Sequence, residues 1–213
     1  MGSCNDQLWS HGNDWRWRVL DNYVIMPITI AGSGTITGLS AGGLPAGSVT
    51  AATLASGAGG ITEADQWRLT GNVQGDVDPV TGTWERNDTS GFNKLGTGLT
   101  QSSGVFSFPS TGIWQITATA KSHHSATNKW AEFMIYTTID NGTWVKQTEP
   151  GGASYTPGGN SYANSTFTFI FDVTSTTNCK ARFAINQEDG DAYLTGNSDY
   201  NTTHVTFIRL GDT

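Results

Sequence analysis

Two groups of side chains have the types and spacing that metal sites use. His123 and His124 are adjacent, but neighbouring side chains of an extended chain point to opposite faces and seldom bind one ion. We therefore favour ordinary loop histidines, with a metal on the axis of a trimer as the alternative. Glu188, Asp189 and Asp191 begin like a calcium loop but lack the further ligands of an EF-hand. A solvated acidic turn is preferred, and no metal or cofactor is predicted.

The sequence also offers little for catalysis. It contains no Walker loop, no H-E-x-x-H pair and no cysteine–histidine nucleophile arrangement. Paired carboxylates for glycoside hydrolysis cannot be located from sequence in an acidic chain. We predict a protein that is not an enzyme, with a polysaccharide depolymerase as the less favoured alternative.

Aromatic side chains in turn-rich segments are better candidates for a functional surface. Tyr and Trp among Asn, Ser and Gly form adaptable recognition surfaces, including surfaces that stack on sugar rings. The alternative is that many of these rings cap the ends of the fold; Tyr136 belongs to the same group. The candidate ligand-facing residues are Trp130, Trp144, Tyr155, Tyr162, Tyr193 and Tyr200.

Composition limits the classes of fold and of partner. Only 14% of the 213 residues are charged, 27 are Gly and 11% are aromatic, which favours β structure over helix. The net charge of −7 disfavours nucleic acid and anionic membrane surfaces as partners. No signal peptide and no apolar run of membrane-spanning length is found, and Cys4 and Cys179 are predicted to be unpaired. We expect synthesis in a reducing cytoplasm without membrane insertion.

The first segment, residues 1–26, is rich in Trp and Arg but too short to form its own core. Trp and Arg are common anchors of protein interfaces, so we favour an arm that docks onto a larger assembly. The alternative is a flap that folds back onto the chain itself. The predicted docking residues are Trp9, Trp15, Arg16, Trp17 and Arg18.

Residues 27–60 form a segment of Gly, Ala, Ser and Thr without a charged residue. Apolar side chains recur in it at every fifth position, a density that one chain cannot bury alone but that several copies wound together can. We favour an intertwined trimeric neck over a flexible linker, since the segment is too rich in Gly for a helical coiled coil. The predicted contacts along the neck are Leu39, Leu44, Val49 and Leu54.

From residue 61 to residue 213, short strand-like runs alternate with turns rich in Gly, Asn and Asp. This pattern predicts an all-β, antiparallel two-sheet jelly-roll sandwich. In Gly104–Ala120, two alternating runs flank Pro109–Gly112, and we predict an aromatic hairpin. Its core residues are Phe106, Phe108, Trp114 and Ile116.

The last predicted strand is apolar on both faces. A sandwich strand of this kind indicates a sheet that is covered from outside, most simply by another subunit. The predicted trimer-interface residues are Val205 and Phe207 on one face, and Ile208 and Leu210 on the other.

Specific residues of the hairpin resemble a known family. Gly104, Phe106, Pro109, Gly112 and Trp114 match the Gly-x-Phe-x-x-Pro-x-x-Gly-x-Tyr/Trp stretch of the C1q-like and tumour-necrosis-factor-like jelly rolls. TWERND before it and THVTFIRLGD at the end follow the same order. Together with the Gly-rich segment GLSAGGLPAGSVTAATLASG, the chain resembles fibre and decoration proteins of bacteriophage virions, especially of marine phages.

The resemblance implies a jelly-roll head, a tight homotrimer and a function in binding. On this basis we expect a virion protein, made in the host cytoplasm, that docks on capsid or tail proteins through its arm. Its head is then a candidate for attachment to a host-surface glycan or protein. A free C1q-like recognition protein or lectin is the alternative.

Overall fold

A computed structural model of the protein describes residues 29–30, 36–37, 60–126, 128–154 and 159–213. The chain divides into two units, Met1–Ser56 and Gly57–Thr213. In the first unit, β1 (Thr29–Ile30) pairs antiparallel with β2 (Ile36–Thr37). Several residues singled out in the sequence lie outside the described part of the chain: Cys4, Trp9, Trp15, Arg16, Trp17, Arg18, Leu39, Leu44, Val49, Leu54 and Tyr155.

The second unit consists of two antiparallel sheets. The six-stranded sheet has the order β10-β9-β13-β7-β6, with β11 also paired to β9. It comprises β6 (Thr100–Ser102), β7 (Val105–Ser107), β9 (Asn128–Thr138), β10 (Val145–Thr148), β11 (Gly151–Ser154) and β13 (Lys180–Gln187). The seven-stranded sheet has the order β4-β14-β8-β15-β3-β5, with β12 also paired to β8. It comprises β3 (Ala64–Leu69), β4 (Val73–Gln74), β5 (Trp84–Arg86), β8 (Gly112–His124), β12 (Ser161–Val173), β14 (Tyr193–Leu194) and β15 (His204–Gly211).

The long strands β8 and β12 show why these sequences form a sandwich. They pair over their full length, from Gly112 opposite Val173 to His124 opposite Ser161. Every second residue of β8 is buried, as the alternation of apolar and polar residues in its sequence predicts. The prediction of an all-β, two-sheet jelly roll is confirmed for the described residues.

Aromatic rings hold the two sheets together. Phe106 of the six-stranded sheet is fully buried, and its ring centroid lies 5.3 Å from that of Phe207 in the seven-stranded sheet. Trp84 contacts the same ring from 5.4 Å and Phe183 from 5.5 Å. Large rings in such edge-to-face contacts contribute packing beyond the area they bury. The predicted core positions Phe106, Phe108, Trp114 and Ile116 are all confirmed as buried.

The predicted hairpin is wrong in its pairing. Phe106 lies in β7 of the six-stranded sheet, whereas Trp114 lies in β8 of the seven-stranded sheet, so the turn Pro109–Gly112 connects two sheets. Phe108 and Trp114 meet across the core, with centroids 5.2 Å apart. Two apolar-alternating strands around a short turn have the same pattern whether they pair or face each other, and alternation alone does not distinguish these arrangements.

Gly112 is required where β8 begins. Its φ is +138°, and a Cβ added there would clash with the backbone oxygen of Gly211. No L side chain fits there. The glycine therefore allows the turn from β7 to enter the seven-stranded sheet directly beside the end of β15.

The last strand requires a correction. Val205 and Phe207 are fully buried among core residues of their own chain, so neither is a contact for another subunit. Ile208 lies on the opposite face and is half-buried, and Leu210 is 49% exposed. The two-sided apolar pattern of β15 thus combines one face in the core with one outer face that its own chain leaves partly uncovered.

A buried carboxylate joins β3 to its neighbour β5, the strand at the edge of the sheet. Asp65, 2% exposed, accepts hydrogen bonds from Arg86 Nε at 2.9 Å, Trp67 Nε1 at 3.0 Å and the Leu99 backbone N–H at 2.9 Å. A buried charge is tolerated when it is paired and hydrogen-bonded in this way. The network fixes β5 and the segment before β6 against β3.

Candidate interaction surfaces

The outer face of the seven-stranded sheet carries uncharged side chains at its centre. We call it the threonine face and define it by Gln115, Thr117, Thr119, Thr166, Thr168, Ile170, Thr206 and Ile208. Hydroxyl oxygens pair across strands, Thr117 with Thr168 and Thr119 with Thr166, both at 3.0 Å. Gln66 Nε2 donates to Thr206 Oγ1 at 2.7 Å.

These internal hydrogen bonds decide what the threonine face can bind. Polar groups that already have hydrogen-bond partners in the protein lose less free energy when water is removed than groups whose only partners are water molecules. Ile170 adds an isoleucine that is 49% exposed, and Leu210 at the end of β15 is exposed to the same extent. A face of this composition is suited to contact with another protein surface.

His204 lies beside the threonine face, opposite Thr119 on one side and Arg68 on the other. Burial lowers the pKa of His204 below its ordinary value of 6.5 because the charged imidazolium is poorly solvated there. The backbone oxygen of Thr202, 3.4 Å from Nδ1, partly offsets this effect. The neutral imidazole is therefore the form that the folded sheet prefers.

The paired histidines lie at the end of β8, so the prediction of loop histidines is wrong, but they point to opposite faces as adjacent residues of an extended chain do. His123 lies on the outer face between Tyr162 and Tyr193, with ring centroids 4.6 Å and 4.8 Å away. His124 is buried, and its Nε2 lies 3.5 Å from Asp189 Oδ2. Within the described residues, no group of three or more His, Cys, Asp or Glu could hold a metal ion.

The acidic segment forms a hydrogen-bonded turn. Asp189 accepts from the backbone N–H of Asp191 at 2.9 Å, and its carbonyl oxygen accepts from the N–H of Ala192 at 3.0 Å. Asp191 accepts from Gln74 Nε2 at 3.1 Å. Carboxylates used in this way stabilise the turn, which confirms the sequence prediction of an acidic turn.

The outer face of the six-stranded sheet is concave. We call the concavity the aromatic groove; its volume is about 360 Å³. Met134 and Ala184 are buried in it and lie opposite each other on β9 and β13. Tyr136 belongs to the same lining. Three carboxylates also line the groove, those of Asp76, Asp78 and Glu149.

An arginine holds the rings beside the groove. The Arg182 guanidinium carbon lies 4.5 Å from the ring centroid of Trp144 and 5.3 Å from that of Tyr136. Arg182 Nη2 donates to Asp78 Oδ2 at 3.0 Å. Cation–π contacts and an ion pair together restrict the ring positions. Nothing in the sequence spacing indicates this cluster, since Asp78 and Arg182 are 104 positions apart.

The structure distributes the predicted aromatic residues over several places and does not bring them into one site. Tyr162 and Tyr193 flank His123, and Trp144 stacks on Arg182. Trp130 on β9 is 38% exposed, and Tyr200, between β14 and β15, is 62% exposed. The aromatic groove therefore rests on residues of which the sequence prediction named only Trp144 and Tyr136.

The described residues include no helix that is both long enough and apolar enough to cross a bilayer.

Comparison with known proteins supports the fold and goes no further. No family model matches the chain, and no curated protein matches it in sequence. Its structure is similar to that of the tumour necrosis factor Eiger from S. frugiperda, with a TM-score of 0.51 and 14% identity. The similarity covers 72% of this chain and 96% of that chain. The second unit thus has a jelly-roll fold like that of tumour necrosis factor.

Proposed function

We propose that the protein is a non-enzymatic structural component of a bacteriophage virion, a fibre or decoration protein with a trimeric jelly-roll head. In this proposal the threonine face forms the contacts between three copies of the head. The six-stranded sheet then faces away from the trimer axis and is accessible to a host-surface glycan or protein.

The threonine face is the observation that carries the proposal. Its hydroxyls are satisfied by one another, its centre has no charged side chain, and Ile170 and Leu210 are half exposed. Burial of such a face removes apolar area from water with little loss of hydrogen bonding. A cyclic arrangement of three copies covers the face in every subunit.

The assignment to a virion rests on the sequence resemblance and on the segments before the head. The arm of residues 1–26 supplies Trp and Arg anchors for capsid or tail proteins, and the neck of residues 27–60 continues the trimer. The net charge of −7 favours protein or neutral glycan partners over nucleic acid.

A charge on the threonine face tests the subunit contact. Ile170→Lys places an ammonium at a half-exposed position, which a single head tolerates but a dry interface does not. Ile139→Lys is the matched control, because Ile139 is 68% exposed and adjoins β9 of the other sheet. We expect sedimentation of Ile170→Lys as a smaller species, whereas Ile139→Lys sediments like the wild type. Equal sedimentation of all three would contradict the proposed interface.

Removal of residues 1–26 tests the docking role of the arm. The shortened chain should still assemble through its head but be absent from purified phage particles. Particles that carry the shortened chain at the level of the full chain would exclude docking through the arm. A free recognition protein or lectin, the second candidate, is favoured by the aromatic groove and predicts that the full chain is not bound to particles.

A further inference from the structure

We propose that the aromatic groove of the six-stranded sheet is a binding site for a neutral carbohydrate. The inference deepens the proposed attachment function and rests on it for its biological setting.

The shape of the groove is suited to a small ligand. The segment that contains Val77 pairs with β13 on one side, and β10 pairs with β9 on the other. Between these walls, Met134 and Ala184 are 6% and 1% exposed although they lie on the outer side of the sheet. The volume of about 360 Å³ is within the range of small-molecule sites, about 300–1,000 Å³.

The apolar part of the groove matches the C–H face of a sugar ring. The ring of Tyr136, which is partly exposed, provides the aromatic surface, because Met134 and Ala184 are almost fully covered. Arg182 fixes Tyr136 from one side while it is itself held by Asp78 and Trp144. A ring that is immobilised before binding loses little further freedom when a ligand stacks on it.

The polar part of the groove matches sugar hydroxyls. Asp76 Oδ1 accepts from the Gln187 N–H at 2.7 Å, and Asp78 Oδ2 accepts from Arg182. Glu149 Oε2 pairs with Lys146 Nζ, and this carboxylate raises the pKa of Lys146 above its ordinary value. These contacts use one oxygen of each carboxylate, and carboxylates accept several hydrogen bonds. Hydroxyl groups of a polyol are donors of the required kind.

The charges favour a neutral ligand. Asp78 and Glu149 are each paired with a cation, so a positively charged ligand gains little from them. An anionic sugar meets a lining in which Asp76, Asp78 and Glu149 outnumber Lys146, on a protein of net charge −7. A basic peptide is the competing class of ligand, and an array of glycans and oligolysine peptides distinguishes it from a neutral carbohydrate.

The test uses the labelled full-length protein on a microarray that displays neutral glycans, sialylated glycans and oligolysine peptides. We expect binding to at least one neutral glycan and none to sialylated glycans. Binding to oligolysine alone, or to no neutral glycan, would overturn the proposal.

Three variants then assign binding of that glycan to the groove. Ala184→Leu enlarges a side chain that is 1% exposed and so must displace the lining of the groove, and Tyr136→Ala removes the stacking ring; each should weaken binding at least about tenfold. Tyr200→Ala removes an exposed ring of the other sheet and should leave the affinity within about twofold. Near-ultraviolet circular dichroism verifies that each variant is folded. Undiminished binding by folded Ala184→Leu and Tyr136→Ala would overturn the assignment.

The mass of the same protein distinguishes failure of this proposal from failure of the proposed assembly. A trimer without glycan binding would refute only the groove, because the threonine face would still hold the subunits together. A monomer that binds the neutral glycan through the groove would refute only the trimeric head.

Discussion

The outer faces of the two sheets cover the same aromatic core but differ in their polar groups and in charge. The hydroxyls of the threonine face pair with one another across β8 and β12. The aromatic groove is concave and contains ion pairs, of which Arg182 with Asp78 is the central one. The core fixes only every second residue of a strand, so the outward positions are free to specify different partners.

The difference lets one sandwich carry the two proposed roles on opposite faces. A face whose polar groups already have hydrogen-bond partners within the protein loses little free energy on dehydration, and it suits a large protein contact. A concave site with spare carboxylate oxygens suits a small polar ligand. Changes in the core should therefore damage both faces, whereas changes on the surface should affect one of them.

The largest expected effect comes from the shared core. Phe106→Ala removes the ring that contacts Trp84, Phe183 and Phe207, and we expect a loss of about 3–5 kcal/mol in the free energy of unfolding. Urea denaturation measures this loss. A change below about 1 kcal/mol would show that the two sheets do not depend on a common core.

A smaller effect, local to the seven-stranded sheet, is expected at Gly112. Gly112→Ala places a Cβ against Gly211 at a φ of +138°, and we expect a loss of about 1–3 kcal/mol. Gly142→Ala is the control, because a Cβ there meets only Asp140 Oδ1 at 3.7 Å; it should change stability by less than about 0.5 kcal/mol. Equal effects of the two substitutions in thermal unfolding would contradict the role of Gly112.

Acidification should weaken the seven-stranded sheet through His204. Because the folded state lowers the pKa of His204, this residue contributes stability above the unfolded pKa of 6.5, and the contribution is lost as pH falls below that value. Replacement by Gln removes the titration, so the stability of His204→Gln should depend less on pH between about 7 and 5. The same pH profile for variant and wild type in urea denaturation would exclude His204 as a cause.

The smallest effect is expected in the loop that joins β9 to β10 beside the groove. Asp140 accepts hydrogen bonds from the N–H groups of Gly142 and Thr143 and from Thr138 Oγ1, and these donors lower the pKa of its carboxyl group. Asp140→Ala should accelerate amide hydrogen exchange at Gly142 and Thr143 and leave the melting temperature nearly unchanged. In the wild type, acid below the ordinary pKa of 3.8 should lower the protection factors of these two amides, measured relative to the intrinsic exchange rate at each pH. Unchanged exchange would contradict this turn.

Alternation in the sequence predicted the fold class and the buried face of β8, because burial on one side of a sheet requires apolar residues at every second position. It could not predict which strands pair. Alternation therefore predicts one hairpin that contains Phe106 and Trp114, although the two residues lie in different sheets. It also could not predict which apolar face of β15 belongs to the core, and both faces were assigned to the trimer.

The candidate sites were less predictable than the fold. Ile208 and Leu210 could be predicted as candidate interface residues, because apolar residues at outward positions of a strand are unusual. The cluster of Asp78, Tyr136, Trp144 and Arg182 could not, because four separate segments supply it and no local spacing connects them. Sequence reasoning found exposed aromatic residues but not the ion pair that positions two of them.

The mass of the intact wild-type protein in solution shows whether the threonine face joins copies of the chain. Light scattering on the full chain, of 22.7 kDa, should give three times that mass at micromolar concentration, independent of dilution over the measured range. A mass of one chain would contradict the account, because the threonine face would then remain exposed to water.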